Sequence, residues 1–310
     1  MPMLYYPKCE RCGGTDLLKQ PLEDTCVVLT LKGRKRMPGS SEKSFLLSLS
    51  DISNKNGRNG KIHHNSFSQS FKEWNYWMFE HSSCQMQNPF ECPSCEASQH
   101  SCHIDGNFKL YRFKSSGRRK RPTYYKGTFF KTNSEVDEYF QQLYGSERCM
   151  KKVEVDNRCG GIWSAASISK RNSNSVEETG IVLSTCRHRI GQKVLNMFQG
   201  ELFGYPMYLL KNYNSLQYCF TDVMCKFWKF VTSHEHAIAS TVTPALSVMH
   251  AKGHALYCQV LWSGESIKGT GRSTGEDTEQ VFSFLSRCGN TTKYQTPEHR
   301  EETITEMMMA

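Results

Sequence analysis

The chain has 310 residues, 38% hydrophobic and 12% aromatic, which is enough to bury a sizeable core and too much for a disordered chain. Its net charge of +9 and pI near 8.8 suit a polyanionic partner. No run of about twenty apolar residues exists to span a membrane, and residues 1–14 lack the apolar core of a secretory signal.

Fourteen cysteines without such a signal read as metal ligands and buried thiols, not as a disulfide framework. Residues 1–66 carry few signals. Cys9 and Cys12 form a lone CxxC, Cys26 opens a short strand pattern (CVVLTL), and the basic run 32–36 leads into a polar linker reaching His64. In residues 67–80, Phe67, Phe71, Trp74 and Met78 recur at helical spacing and predict an amphipathic core helix. Cys92 and Cys95 follow as a second CxxC, a pair that one tetrahedral zinc could take.

The most informative stretch is residues 101–112, SCHIDGNFKLYR. Apolar residues alternate around one acid, Asp105, which is a strand signal, although on these residues alone the Asp105-Gly106 turn signal is the stronger of the two and only the rest of the chain reverses it. A carboxylate inside a strand is costly unless something compensates it, and a metal ion is one such compensation. Arg118, Arg119, Lys120 and Arg121 then form a basic run, suited to phosphate contact or nuclear import or simply to solvation. A short helix is expected over 136–144.

Residues 180–186 read as a buried strand running into Cys186-Arg187-His188, whose cysteine and histidine can share a zinc if the chain turns between them. Residues 215–230 hold a strand-like run that meets one acid, Asp222, before a helix-compatible segment; a metal ligand and an N-cap are both consistent with that position. His250, His254 and Cys258 recur every four residues, as on one helical face. Residues 269–285 open a helix behind Glu276, Asp277 and Glu279, where acids also favour the helix dipole. The last residues, from Glu298 to Ala310, are polar, then methionine-rich, and read as a frayed tail.

Taken in order, CPSC, DGNFKL, ETGIVLSTCRHR with NMFQGELFGYP, FTDVMCKFW, MHAKGHALYCQV, and GTGRSTGEDTEQ with FLSRCGNTTKY resemble the Kyakuja-Dileera-Zisupton (KDZ) transposases over residues 67–300. The resemblance implies an α/β fold, an RNase H-like (retroviral-integrase-like) mixed sheet with helices and an embedded zinc-binding insertion. It divides the chain into an N-terminal segment 1–66, a helix and Cys-rich lead-in 67–103, a core 104–290 and a polar tail 291–310. It implies a DDE triad of Asp105, Asp222 and Glu276, with Asp277 or Glu279 as substitutes for the third acid. Such carboxylates would hold Mg²⁺ or Mn²⁺ for DNA strand cleavage and transfer.

The resemblance further implies that Cys186, His188, His254 and Cys258 form one structural Zn²⁺ site. The partners would be the transposon ends and target DNA, the location nuclear, and the working form a multimer that joins two ends. Two departures stand out: Thr274 replaces the Asp of the usual Asp-Gly-Glu, and Gln280 replaces a later Arg. With the end of the sequence at Ala310, they motivate an alternative expectation: a catalytically inactive, zinc-stabilised DNA-binding protein from a truncated or domesticated transposon.

Overall fold

A computed structural model describes residues 42–57, 62–84, 88–95, 98–125, 127–145, 175–198 and 200–309. The expected CxxC at Cys9 and Cys12, the strand at Cys26 and the basic run 32–36 lie outside the described residues. Helix α1 (Glu42–Lys55) occupies part of the stretch read as a linker, with only Leu46 of its residues buried. α2 (His64–Cys84) is the expected aromatic helix. Phe67, Phe71 and Trp74 stack along it at 6.1 and 6.3 Å between centroids, half-buried beneath α1 and not in the main core.

The strand signal around Asp105 wins over the turn signal. β1 (Gln99–Asn107) runs straight through Asp105 and Gly106, because both residues pair with a neighbouring strand. Ladder pairing with that strand holds the Asp-Gly extended where an isolated hairpin would turn. After β1 a small ladder joins β2 (Arg112–Phe113) to β3 (Val176–Glu178), and α3 (Asn133–Tyr144) starts at a capping box of Thr132 and Glu135. β4 (Gly180–Cys186) is buried at all seven positions, as expected of a strand covered on both faces. A tight hairpin at 186–190 returns the chain along β5 (Gly191–Met197).

The rest of the chain alternates helix and strand: α4 (Gly204–Leu210), β6 (Leu216–Thr221), α5 (Met224–His234), α6 (His236–Thr241) and β7 (Thr243–Leu246). Short helices α7 (Val248–Ala251) and α8 (Leu256–Trp262) precede α9 (Asp277–Leu285), α10 (Gly289–Thr292) and α11 (Pro297–Met308). Five strands form one mixed sheet in the order β5-β4-β1-β6-β7. β1, β4 and β5 are antiparallel neighbours, whereas β6 and β7 continue the sheet parallel to β1. One face packs Cys102, Ile104, Val182 and Leu195 against Phe140, Tyr205, Phe227 and Val231 of α3, α4 and α5. The other packs Ile181, Leu183 and Val194 against Phe282, Leu285, Ile304 and Met307 of α9 and α11. The result is a three-layer sandwich, as a sheet that is apolar on both faces requires.

The expected frayed tail is instead α11, with Glu298, Arg300, Glu301, Glu302, Ile304 and Met307 all buried. Its charges are matched by the basic loop: Arg119 pairs with Glu301, and Arg121 grips Glu302 at 2.6 and 2.9 Å. Arg300 lies at the centre, fully buried, donating to Asn196 Oδ1 (2.5 Å) and to the carbonyls of Leu110 (2.6 Å) and Gly180 (3.3 Å). One side chain thereby ties α11 to β4, β5 and the segment after β1. Replacing it by methionine leaves two buried carbonyls and an amide without their donor, so Arg300→Met should cost about 3 kcal/mol in urea unfolding. A loss below about 1 kcal/mol would show that this network does not anchor the helix.

Candidate active site

The parallel pairing of β1 with β6 sets His103 opposite Phe220. Two residues further along each chain, the same register sets Asp105 opposite Asp222, which directly follows β6. Adjacent strands lie about 4.8 Å apart and residues in parallel register share a face, so the two acids stand side by side. They sit at the carboxyl ends of neighbouring strands, where open α/β sheets place their sites. Both line a cavity of about 160 Å³ together with Glu201, His250 and His254, walled by Phe203, Pro206 and Phe227.

A set of buried polar contacts draws α9 up to this point. His103 is fully buried, and its Nδ1 accepts the Thr278 N–H at 3.1 Å. The ring proton is therefore on Nε2, which faces Asp222 Oδ1 at 3.7 Å. Thr278 Oγ1 donates to the His103 carbonyl (2.9 Å) and lies 2.7 Å from Thr185 Oγ1. Helix α9 is thus fixed to β1 and β4 by its second residue, and Glu279 comes next. Gly275, just before the helix, adopts φ 71°, and a Cβ there would meet the Phe220 ring at 2.3 Å, so only glycine lets the chain turn this close to β6.

The second acid is the best supported by its surroundings. Ser247 Oγ lies 2.9 Å from Asp222 Oδ1, and His250 Nε2 lies 3.1 Å from Oδ2. Burial alone would push Asp222 up, but His103, His250 and Ser247 outweigh it and hold the carboxyl below its ordinary range. Asp105 behaves oppositely: burial, then Asp222, Glu201 and Glu279, push it well above the usual carboxylate range. Glu201, missed by the sequence reading, is pushed up to about 7 by burial and by Asp222.

Three acids were candidates for the third position, and they do different things. Glu276 Oε1 accepts the Met249 N–H at 2.9 Å and Oε2 lies 3.4 Å from His250 Nδ1, so it steadies the segment carrying His250. The adjacent Glu276 carboxylate, and then that of Asp222, push the His250 imidazole up against the effect of burial. Burial pushes the Asp277 carboxyl up. Glu279 is the acid whose oxygen falls within 4.8 Å of ligand atoms of both Asp222 and His250.

The expected single zinc set of Cys186, His188, His254 and Cys258 is not what forms. Its members divide into two groups, each completed by other cysteines: Cys92, Cys95, Cys186 and His188 in one, and Cys225, His254 and Cys258 in the other. His188 Nδ1 stands 3.3, 3.4 and 4.0 Å from the sulfurs of Cys92, Cys95 and Cys186. Donors of one tetrahedral zinc, bonded at ~2.3 Å (S) and ~2.0 Å (N), would be about 3.5 Å apart. The 186–190 hairpin supplies the turn, with Arg189 in the left-handed region at φ 65°. Cys95 is pushed up to about 12 by burial and by Cys186 and Cys92, and a dication is what would let such crowded thiols ionise together.

In the second group Cys225 Sγ lies 3.6 Å from His254 Nδ1. His250, His254 and Cys258 do not share a helix face: α7 ends at Ala251 and α8 begins at Leu256, which sends His250 to Asp222 and the other two to Cys225. These soft thiolate and imidazole sets could hold a metal such as zinc, whereas the carboxylate-rich cavity offers the oxygen donors that Mg²⁺ or Mn²⁺ takes. Of the expected DNA-binding residues, Arg119 and Arg121 are engaged by α11, while Arg118 and Lys120 remain exposed.

No curated protein and no solved structure matches the chain. The sequence model described as Kyakuja-Dileera-Zisupton transposase matches residues 98–310, from the residue before β1 to the last residue of the sequence, and so takes in both strand-end acids, Cys186 and His188, the Cys225, His254 and Cys258 group and α11, while Cys92 and Cys95 precede it. The chain belongs to the Kyakuja-Dileera-Zisupton transposase family.

Proposed function

We propose that the chain is a DDE-type transposase that cleaves DNA and transfers the cut strand, with Asp105, Asp222 and Glu279 as its acids. The observation that carries this is the strand register that sets Asp105 beside Asp222, with Glu279 brought alongside by the Thr278 contacts. An antiparallel β1-β4-β5 meander extended by parallel β6 and β7 supports an RNase H-like core. Glu276 is read as a positioning residue for His250 and not as the third acid.

Bound Mg²⁺ or Mn²⁺ would activate the attacking water or 3′-hydroxyl and stabilise the leaving oxygen. Asp222, kept anionic by its three donors, provides a standing ligand. Asp105, crowded by Asp222 and Glu201, gains most from a cation. Phe203, Pro206 and Phe227 keep bulk water from the acids and strengthen their interactions. Cys92, Cys95, Cys186 and His188 would hold one structural zinc, tying the lead-in to the end of the sheet. Cys225, His254 and Cys258 would hold a second, tying α5 to α8 next to the segment that carries His250. Exposed Arg118 and Lys120 contribute to phosphate contact. A DNA substrate of this kind places the protein in the nucleus, and joining two transposon ends calls for a multimer.

Mn²⁺-dependent nicking of DNA is the direct test. Asp105→Asn, Asp222→Asn and Glu279→Gln should each lower it by about 10³-fold or more, the loss of several kcal/mol of charge stabilisation, while Glu276→Gln should lower it less than about tenfold. Salt-sensitive DNA binding with no metal-dependent nicking in the unaltered chain would instead favour the catalytically inactive DNA-binding protein. Metal analysis of the purified chain separates the zinc sites: Cys95→Ser and Cys258→Ser should each remove about one equivalent of zinc. Unchanged zinc content in both variants would contradict the structural-zinc assignment.

A further inference from the structure

We infer that Glu201 is a fourth carboxylate of the cation centre, serving the Asp105 side while His250 and Glu279 serve the other, with Asp222 shared between them. The inference rests on the cation-dependent reading above.

Glu201 enters from the connection between β5 and α4, which no strand or helix pattern marks. Its neighbours Leu202 and Phe203 pack against the main core and hold the carboxylate in place. The strand opposite makes room for it. A Cβ on Gly106 would lie 2.9 Å from Glu201 Cδ and Oε1 and 3.2 Å from Oε2, so the carboxylate occupies the space that any other residue at 106 would fill. Gly106 N–H already donates to Asp105 Oδ1 at 2.7 Å and also faces Glu201, which puts both carboxylates at one point of the backbone.

The two sides of Asp222 are unequal in composition. His250 stands between Asp222 and Glu276 on one side, so negative charge there is already met by an imidazole. On the other side the cavity holds Asp105 and Glu201 between Phe203 and Phe227, with no basic side chain among its lining residues apart from His250 and His254. Two acids closed in by apolar walls repel one another and lose hydration. A divalent cation relieves both costs, and oxygen donors are what Mg²⁺ and Mn²⁺ select.

Mn²⁺ titration of the full chain, followed by calorimetry and by electron paramagnetic resonance, tests this without relying on activity. Glu201→Gln keeps the shape and removes the charge. It should weaken the weaker of two Mn²⁺ binding events at least tenfold and leave the zinc content unchanged. Its unfolding temperature without added Mn²⁺ should be equal to or above that of the unaltered chain, because a repelled buried charge is gone. Gly106→Ala should weaken the same event by displacing the Glu201 carboxylate. Unchanged Mn²⁺ affinity in Glu201→Gln, with binding lost in Asp222→Asn, would overturn the role of Glu201 and leave the transposase reading standing. No Mn²⁺ binding by the unaltered chain would overturn both.

Discussion

Two carboxylates held side by side in a cavity with apolar walls are the constraint from which the rest of this structure can be understood. Parallel pairing of β1 with β6 runs up to His103 and Phe220, and the same register carried two residues further makes the adjacency of the acids a matter of register. Their repulsion has to be answered locally. Asp222 is answered by protein groups, through His103, Ser247 and His250. Asp105 accepts the Gly106 N–H at 2.7 Å, yet burial and its acidic neighbours leave it well above its ordinary range. That imbalance is the ground on which we propose a cation for the cavity.

The supporting shell serves this arrangement at several removes. His103 sends one ring nitrogen to α9 and the other toward Asp222, so the strand that bears Asp105 also sets the helix that bears Glu279. Ser247 reaches Asp222 and the Gly275 carbonyl, each at 2.9 Å, which ties the end of β7 to the turn into α9. The two Cys/His groups lie at the borders of this shell. One joins the lead-in to the β4–β5 hairpin, and the other joins α5 to α8. Arg300 closes the opposite face by fixing α11 to the sheet.

The strand-end acids were legible in the sequence because a lone Asp interrupts each apolar run, at 105 and at 222. The residues of the two Cys/His groups were legible as residue types, but their pairing was not. Antiparallel register sets Cys102 opposite Cys186, so residues before β1 meet residues after β4, and that fact belongs to topology and not to spacing. The period-four pattern of His250, His254 and Cys258 suggested one helix, yet Gly253 and the break after it split the segment in two. Helix α11 looked like a frayed polar tail because its buried carboxylates are matched by arginines about 180 residues away in the chain. The same pairing removes Arg119 and Arg121 from the basic run that composition offers to DNA. Glu201 sits in an unpatterned connection; the glycine after Asp105 was the one sign that something approaches the strand there.

The most direct measurement is anomalous diffraction at the manganese edge from crystals of the full chain grown with Mn²⁺. The account predicts anomalous peaks between Asp105, Asp222 and Glu279, with a pair of ions about 3.5–4 Å apart if the centre works by two-metal chemistry. Manganese bound elsewhere, with Asp105 and Asp222 turned away from any ion, would contradict it.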